Sequence, residues 1–168
     1  MHQKKNSGLW LMPPRIKILE ALGTIADKRI ELKNNGAKVL SSTSKSKILR
    51  VIRNHKISDM HEKTYSVTYD GKRKITCNDN GSYYKGYLGY PSIAFLMEKK
   101  ILAYDENIAN ALKGIKWKEL NEKFKDYYKV EQIIKIRLSR KGIKANQIDD
   151  FISKTLEKIK ELELEKLE

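Results

Sequence analysis

The chain has 168 residues, 40% hydrophobic and 33% charged, enough for one compact domain or a small domain with an appendage and too apolar for wholesale disorder. One cysteine excludes an intramolecular disulfide and points to a reducing, cytoplasmic setting, and no apolar run approaches the roughly 18 residues of a membrane span. Net charge is +14, with 17 Lys/Arg against 6 Asp/Glu in residues 1–75 and 18 against 15 in residues 76–168. Matched Lys and Glu on a heavily charged surface would cancel, so the imbalance implies a polyanionic partner, because neutralising phosphates releases condensed counterions. Nucleic acid fits better than an anionic membrane.

Residues 1–12 read as a flexible arm with a basic start, whose apolar patch, Leu9–Leu11, is too short for a signal peptide. After Pro13-Pro14, Ile16, Leu19, Leu22 and Ile25/Ala26 recur on one face of an amphipathic helix. A helix-turn-helix would need second and third helices at close spacing, and none follow. Instead, Arg29–Leu32 and Ala37–Ser41 flank Lys33-Asn34-Asn35-Gly36 as a hairpin. Residues 42–63 then read as a basic insertion, with Lys45, Lys47, Arg50, Arg53 and Lys56 placed to contact phosphates. The plainer alternative is a surface loop with incidental charge.

A second hairpin is predicted from Tyr65–Tyr69 and Lys72–Cys77 around Asp70-Gly71, a dipeptide suited to a type I′ turn. Lys72, Arg73 and Lys74 would extend the phosphate track. The loop Gly81–Tyr90 alternates tyrosine and glycine, and Tyr83, Tyr84 and Lys85 have the composition of a stacking surface for unpaired bases. Tyrosines before a core helix also cap cores, and that is the expectation for Tyr87 and Tyr90. Pro91 opens a buried helix through Ile93–Met97.

The rest reads as helical. Asp105 caps one helix that Gly114 stops, and Trp117, Leu120 and Phe124 anchor the next. Asp126 starts a third, whose stripe is Val130, Ile133, Ile134, Ile136 and Leu138, ended by Gly142. Asn146 caps a fourth, with Ile148, Ile152, Leu156, Ile159 and Leu167 along one side.

The hairpin, polar turn and short apolar helix of residues 63–97 resemble the ββα layout of SWIM zinc modules, which carry Cys-x-Cys before the loop and Cys-x-His at the helix start. Cys77 falls at the first ligand position, Asp79 stands at the second, and Tyr90 and Ser92 occupy the Cys-x-His pair. Three of four ligands are absent, so zinc binding does not carry over. The resemblance implies a metal-free relative that binds nucleic acid or protein.

No catalytic signature emerges. Gly81, Gly86 and Gly89 lack the Gly-Lys-Ser/Thr ending of a phosphate loop, and His2, His55 and His61 have no metal-motif company. A metal site from His55, His61 and Cys77, and a Cys77 thiol acidified by Lys72–Lys74, are the alternatives. An unrecognised nuclease is the one enzyme class kept in view. The expectation is an α+β protein: an N-terminal helix and small antiparallel hairpin sheet, then a C-terminal bundle of three to four helices. Its divisions are 1–12 (arm), 13–98 (basic α+β lobe) and 99–168 (helical lobe). The expected function is non-enzymatic RNA binding in a ribonucleoprotein such as the ribosome, without metal, cofactor, membrane or small-molecule substrate. The alternatives are a SWIM-like DNA-binding protein and a protein-interaction adaptor.

Overall fold

Four strands follow one another as an antiparallel meander, and the C-terminus returns to add a fifth. The computed structural model describes residues 8–42 and 63–167. Its strands are β1 (Ile30–Lys33), β2 (Gly36–Leu40), β3 (Thr64–Tyr69), β4 (Lys74–Cys77) and β5 (Glu165–Lys166), in that order across one sheet, with β5 parallel to β4. The first hairpin turns on Asn34-Asn35, as Lys33 pairs with Gly36. Gly36 is needed for closeness, because a Cβ there would lie 1.7 Å from the Val67 carbonyl oxygen. Ser41 and Lys63 exchange two hydrogen bonds, Ser41 N to Lys63 O at 2.9 Å and Lys63 N to Ser41 Oγ at 3.1 Å. Lys45, Lys47, Arg50, Arg53 and Lys56 lie outside the described residues.

The second hairpin departs from the two-residue type I′ turn. Tyr69 pairs with Ile75 and Asp70 N donates to Lys74 O, so Gly71–Arg73 form a three-residue loop. Gly71 has φ +85°, but Asp70 is not in the left-handed region. The Asp70 carboxylate instead accepts from the backbone N–H of Lys72, Arg73 and Lys74. Those bonds favour the charged form and hold its pKa below the ordinary value.

The core is arranged around α1 (Ile16–Ala26), in which every residue except Ile25 is buried. The sequence predicts one apolar face, but the helix is enclosed on several sides. It packs on α2 (Tyr90–Glu98), which covers the sheet, and on α3 (Glu106–Ala111), α5 (Tyr127–Ser139) and α6 (Ala145–Leu162). Between α3 and α5 lies α4 (Trp117–Phe124). Gly23 admits α4 closely, since a Cβ there would sit 2.7 Å from Trp117 Nε1. Asp105 and Asp126 cap α3 and α5 as the sequence predicts. Helix α6 begins one residue before Asn146, which falls in its first turn; Lys144 is its N-cap, and Lys144 N donates to Gln147 Oε1 at 2.8 Å. It also ends earlier than expected, at Leu162. Glu163 turns left-handed at φ +46°, and Leu167 lies past the helix, beyond β5. Ile136, expected in the buried stripe of α5, is 55% exposed, because Val130, Ile134 and Leu138 already fill the inward positions at spacing four.

Residues 8–12 of the expected arm are tied down. Trp10 N and Nε1 donate to Leu164 O and Ile75 O, Leu11 exchanges backbone bonds with Gly86 and Leu88, and Lys166 N donates to Gly8 O. Residues 8–11 and 164–166 thus meet beside β4. Next to this strap, Arg15 makes a bidentate bond to Glu131 and reaches Asp149 at 2.6 Å, while Lys135 joins both carboxylates.

That network sets an acid limit on stability. Burial works to raise the Glu131 pKa, but hydrogen bonds from Arg15 and Lys135 outweigh it and hold the carboxyl below its ordinary value. The Lys135 bond does the same for Asp149. Folded-state values below the unfolded values of about 4.3 and 3.9 make this stabilisation complete above the unfolded values and lost as pH falls through the folded ones. Arg15 is 41% exposed, so Glu131→Gln should cost about 1–2 kcal/mol at pH 7, less than a fully buried pair. Urea unfolding at pH 7 and pH 3 checks this: the deficit should shrink at the lower pH, and an equal deficit at both refutes the linkage.

Candidate functional site

At the end of the β3–β4 hairpin away from its turn, a cleft of about 720 Å³ opens between the sheet, α1 and α4. Its floor is polar and buried. Lys17 and Glu20, one helical turn apart on α1, approach to 2.7 Å. Burial alone would lower the Lys17 pKa, but the Glu20 charge outweighs it and raises the value, so the ammonium persists. Lys17 Nζ also lies 4.8 Å from the Tyr127 ring centroid and 5.8 Å from that of Tyr90, within cation–π reach. Asn121 Nδ2 donates to Glu20 Oε1 at 3.1 Å. Arg29 is fixed beside them: its guanidinium donates to Leu40 O and to Thr24 Oγ1, which in turn donates to Glu20 O.

The walls are aromatic. Tyr65 meets Tyr90 edge to face with ring centroids 6.3 Å apart. Burial pushes the phenols of Tyr65, Tyr87 and Tyr90 above the usual tyrosine range, keeping them neutral. Tyr87 and Tyr90, expected as core caps, are half-buried and line this cleft, as do Tyr84 and Tyr127.

One rim is a single π-helical turn, Gly81–Lys85, stopped by Gly86 at φ +74°. The buried Asp79 carboxylate organises it, accepting from Ser82 Oγ at 2.6 Å and Ser82 N at 3.3 Å. Gly89 makes room, because a Cβ there would come within 2.1 Å of Asp79 Oδ2. The turn presents Tyr83 and Tyr84 outward, each 74% exposed, with ring centroids 4.7 Å apart at 76°. Around the mouth stand Lys63, Lys85, Lys118 and Lys125, all exposed, against one exposed acid, Glu122. Those four lysines form no ion pair among the described residues.

Of the residues predicted as a site, Tyr84 and Lys85 line the cleft and Tyr83 adjoins Tyr84. Lys72, Arg73 and Lys74 lie at the far end of a hairpin whose six-residue strand spans about 20 Å. Arg73 is moreover engaged with Glu165 and, at 3.8 Å, with Glu163. The alternative of an acidified Cys77 is corrected: the thiol is buried, and burial pushes its pKa up. Lys17, Glu20, Arg29, Trp117 and Asn121 were not singled out for a site. Their signal was faint: two charges in an otherwise apolar helical run, and Trp117 and Asn121 four apart on one face of α4.

Fold and site together define an α+β domain with a basic-rimmed, tyrosine-walled cleft. The chain belongs to the family described as Uncharacterised conserved protein UCP014422, which matches residues 10–165. No curated protein and no solved structure matches it.

The Asp79–Gly89 contact should show in stability. Overpacking costs about 1–3 kcal/mol, and each kcal/mol moves the Tm of a domain this size by about 2–4 °C. Gly89→Ala should therefore melt about 2–12 °C below the parent by circular dichroism. Gly8→Ala, where a Cβ meets nothing within 4 Å, should melt unchanged. Equal melting of both variants would refute the role given to Gly89.

Proposed function

We propose that this is a non-enzymatic nucleic-acid-binding protein that prefers single-stranded RNA, acting in the cytoplasm as a component or accessory of a ribonucleoprotein such as the ribosome. The observation that carries it is the exposed Tyr83–Tyr84 pair beside four lysines free of ion pairs among the described residues. Aromatic faces next to a cationic rim suit splayed bases and their phosphates, and stacking on such rings contributes about 1–3 kcal/mol per base. Lys45, Lys47, Arg50, Arg53 and Lys56 extend the phosphate contacts in this proposal, and Lys72 and Lys74 do so at the far end of the hairpin. The hairpin–loop–helix order of residues 63–97 also suits the SWIM-like alternative, for which DNA would be the better ligand.

Fluorescence anisotropy with labelled RNA, DNA of the same sequence and duplex DNA separates these readings. RNA should bind tightest, with affinity falling steeply as salt rises. Tyr83→Ala with Tyr84→Ala should weaken RNA binding about tenfold or more, with melting unchanged because both rings face solvent. Replacing Lys45, Lys47, Arg50 and Arg53 with Glu should weaken it further. Tighter binding to DNA would favour the SWIM-like alternative, and no binding at low salt would end both. Sedimentation of cell extract tests the wider assignment: a protein that stays at the top of a sucrose gradient in low salt belongs to no ribonucleoprotein particle.

A further inference from the structure

The tripeptide Tyr-Tyr-Lys occurs twice in the chain, at Tyr83–Lys85 and at Tyr127–Lys129, and both copies stand at the cleft. The first makes up most of the π-helical turn, and the second opens α5. Each gives the cleft one ring, Tyr84 or Tyr127, and its other ring lies in solvent: Tyr83 is 74% exposed and Tyr128 71%. Each is held by an aspartate. Asp79 accepts from Ser82 N and Oγ, and Asp126 from the backbone N–H of Tyr128 and Lys129. The lysine that closes each copy, Lys85 or Lys129, is exposed and forms no ion pair among the described residues.

The fold accounts for only one ring of the second copy. Tyr127 flanks the Lys17 ammonium, with 4.8 Å from Nζ to its ring centroid, and is still 40% exposed. Tyr128 stacks on no other ring and meets no cation among the described residues. The buried positions of this helix begin at Val130, so the Tyr128 ring face is apolar surface that packing does not use.

We propose that Tyr127 and Tyr128 form a second stacking platform for the same RNA strand, which crosses the cleft mouth from the π-turn to α5 with Lys125 and Lys129 following its phosphates. This rests on the RNA reading above and extends its site. Lys125 lines the cleft immediately before the Asp126 cap, so cations accompany the strand up to the second pair of rings. Aromatic faces stack on any base, so such a site selects a single strand and not its sequence. A duplex keeps its bases stacked on one another and can use neither platform. Two platforms on one strand act as linked sites, and affinity rises once the strand is long enough to span both.

Fluorescence anisotropy of the full chain with labelled oligouridylates, from a dinucleotide to a dodecanucleotide, tests this. Tyr128→Ala should weaken the dodecanucleotide about fivefold or more, with melting unchanged because the ring faces solvent. Tyr128→Phe keeps the ring face and should bind as the parent does. Adding Tyr83→Ala and Tyr84→Ala to Tyr128→Ala should weaken binding beyond either set alone. Lys129→Gln should lower the slope of log affinity against log salt by about 0.7. Dodecanucleotide binding by Tyr128→Ala equal to the parent's overturns the second platform, and equal loss in Tyr128→Ala and Tyr128→Phe overturns stacking there. If Tyr83→Ala with Tyr84→Ala still weakens the same RNA in either case, the RNA reading stands without the second platform; absence of RNA binding by the parent overturns both.

Discussion

The ion pair between Lys17 and Glu20 is the constraint on which the rest of this structure depends. A helix enclosed by a sheet-covering helix on one side and a helical bundle on the other cannot leave a charge unanswered, because an isolated buried ion costs several kcal/mol even after relaxation. Each of the two residues answers the other at 2.7 Å, Asn121 answers Glu20 from α4, and the Tyr127 and Tyr90 rings flank the ammonium. The central helix can therefore be buried along nearly its whole length and still carry charge. One consequence is that core and cleft share a wall. The residues that let α1 be enclosed are the same ones that make the cleft floor polar.

That arrangement explains which parts of the fold were legible in the sequence. The first hairpin, the Asp105 and Asp126 caps and the Trp117 anchor are local signals, and the structure places them as predicted to within a residue, the turn closing on Asn34-Asn35 inside the expected Lys33–Gly36. The enclosure of α1 was not legible. Nothing in the sequence set Lys17 and Glu20 apart, and one partner of this pair, Asn121, is 101 positions from Glu20. Arg15 was likewise not singled out, and it is engaged by Glu131, 116 positions away. Two-residue β5 is too short to leave a pattern, and the strap of residues 8–11 beside it binds mostly through backbone groups that sequence does not distinguish. The Asp70 turn failed for a related reason. Asp-Gly permits a type I′ turn, but a carboxylate that can collect three backbone donors stabilises a longer loop instead.

The site was legible in kind and misplaced in detail. Aromatic and basic residues were expected to act together, and Tyr84 and Lys85 do meet in the cleft. Of the cations in the described part of the first half, Lys63 stands at the cleft mouth, while several others are neutralised within the fold. Arg15, Lys17, Lys33 and Arg73 are engaged with acids and Arg29 lies 4.0 Å from Asp27, several of these partners coming from the C-terminal helices and β5. Net charge along a sequence counts ions without saying which are neutralised in the fold.

The charge at the cleft mouth is therefore better understood as a product of the tertiary structure than of the uneven composition. Lys63 comes from the start of the second hairpin, Lys85 from the π-helical turn, and Lys118 and Lys125 from α4 and its end. Three of the four belong to the half of the chain whose acids and bases nearly balance. They are brought together because Gly23 lets α4 settle on α1 and because Asp79, with room made by Gly89, holds the π-turn opposite. A surface assembled from separate elements keeps its geometry only as long as those contacts hold. The glycines and the buried Asp79 carboxylate thus bear on the shape of the cleft as directly as the lysines do.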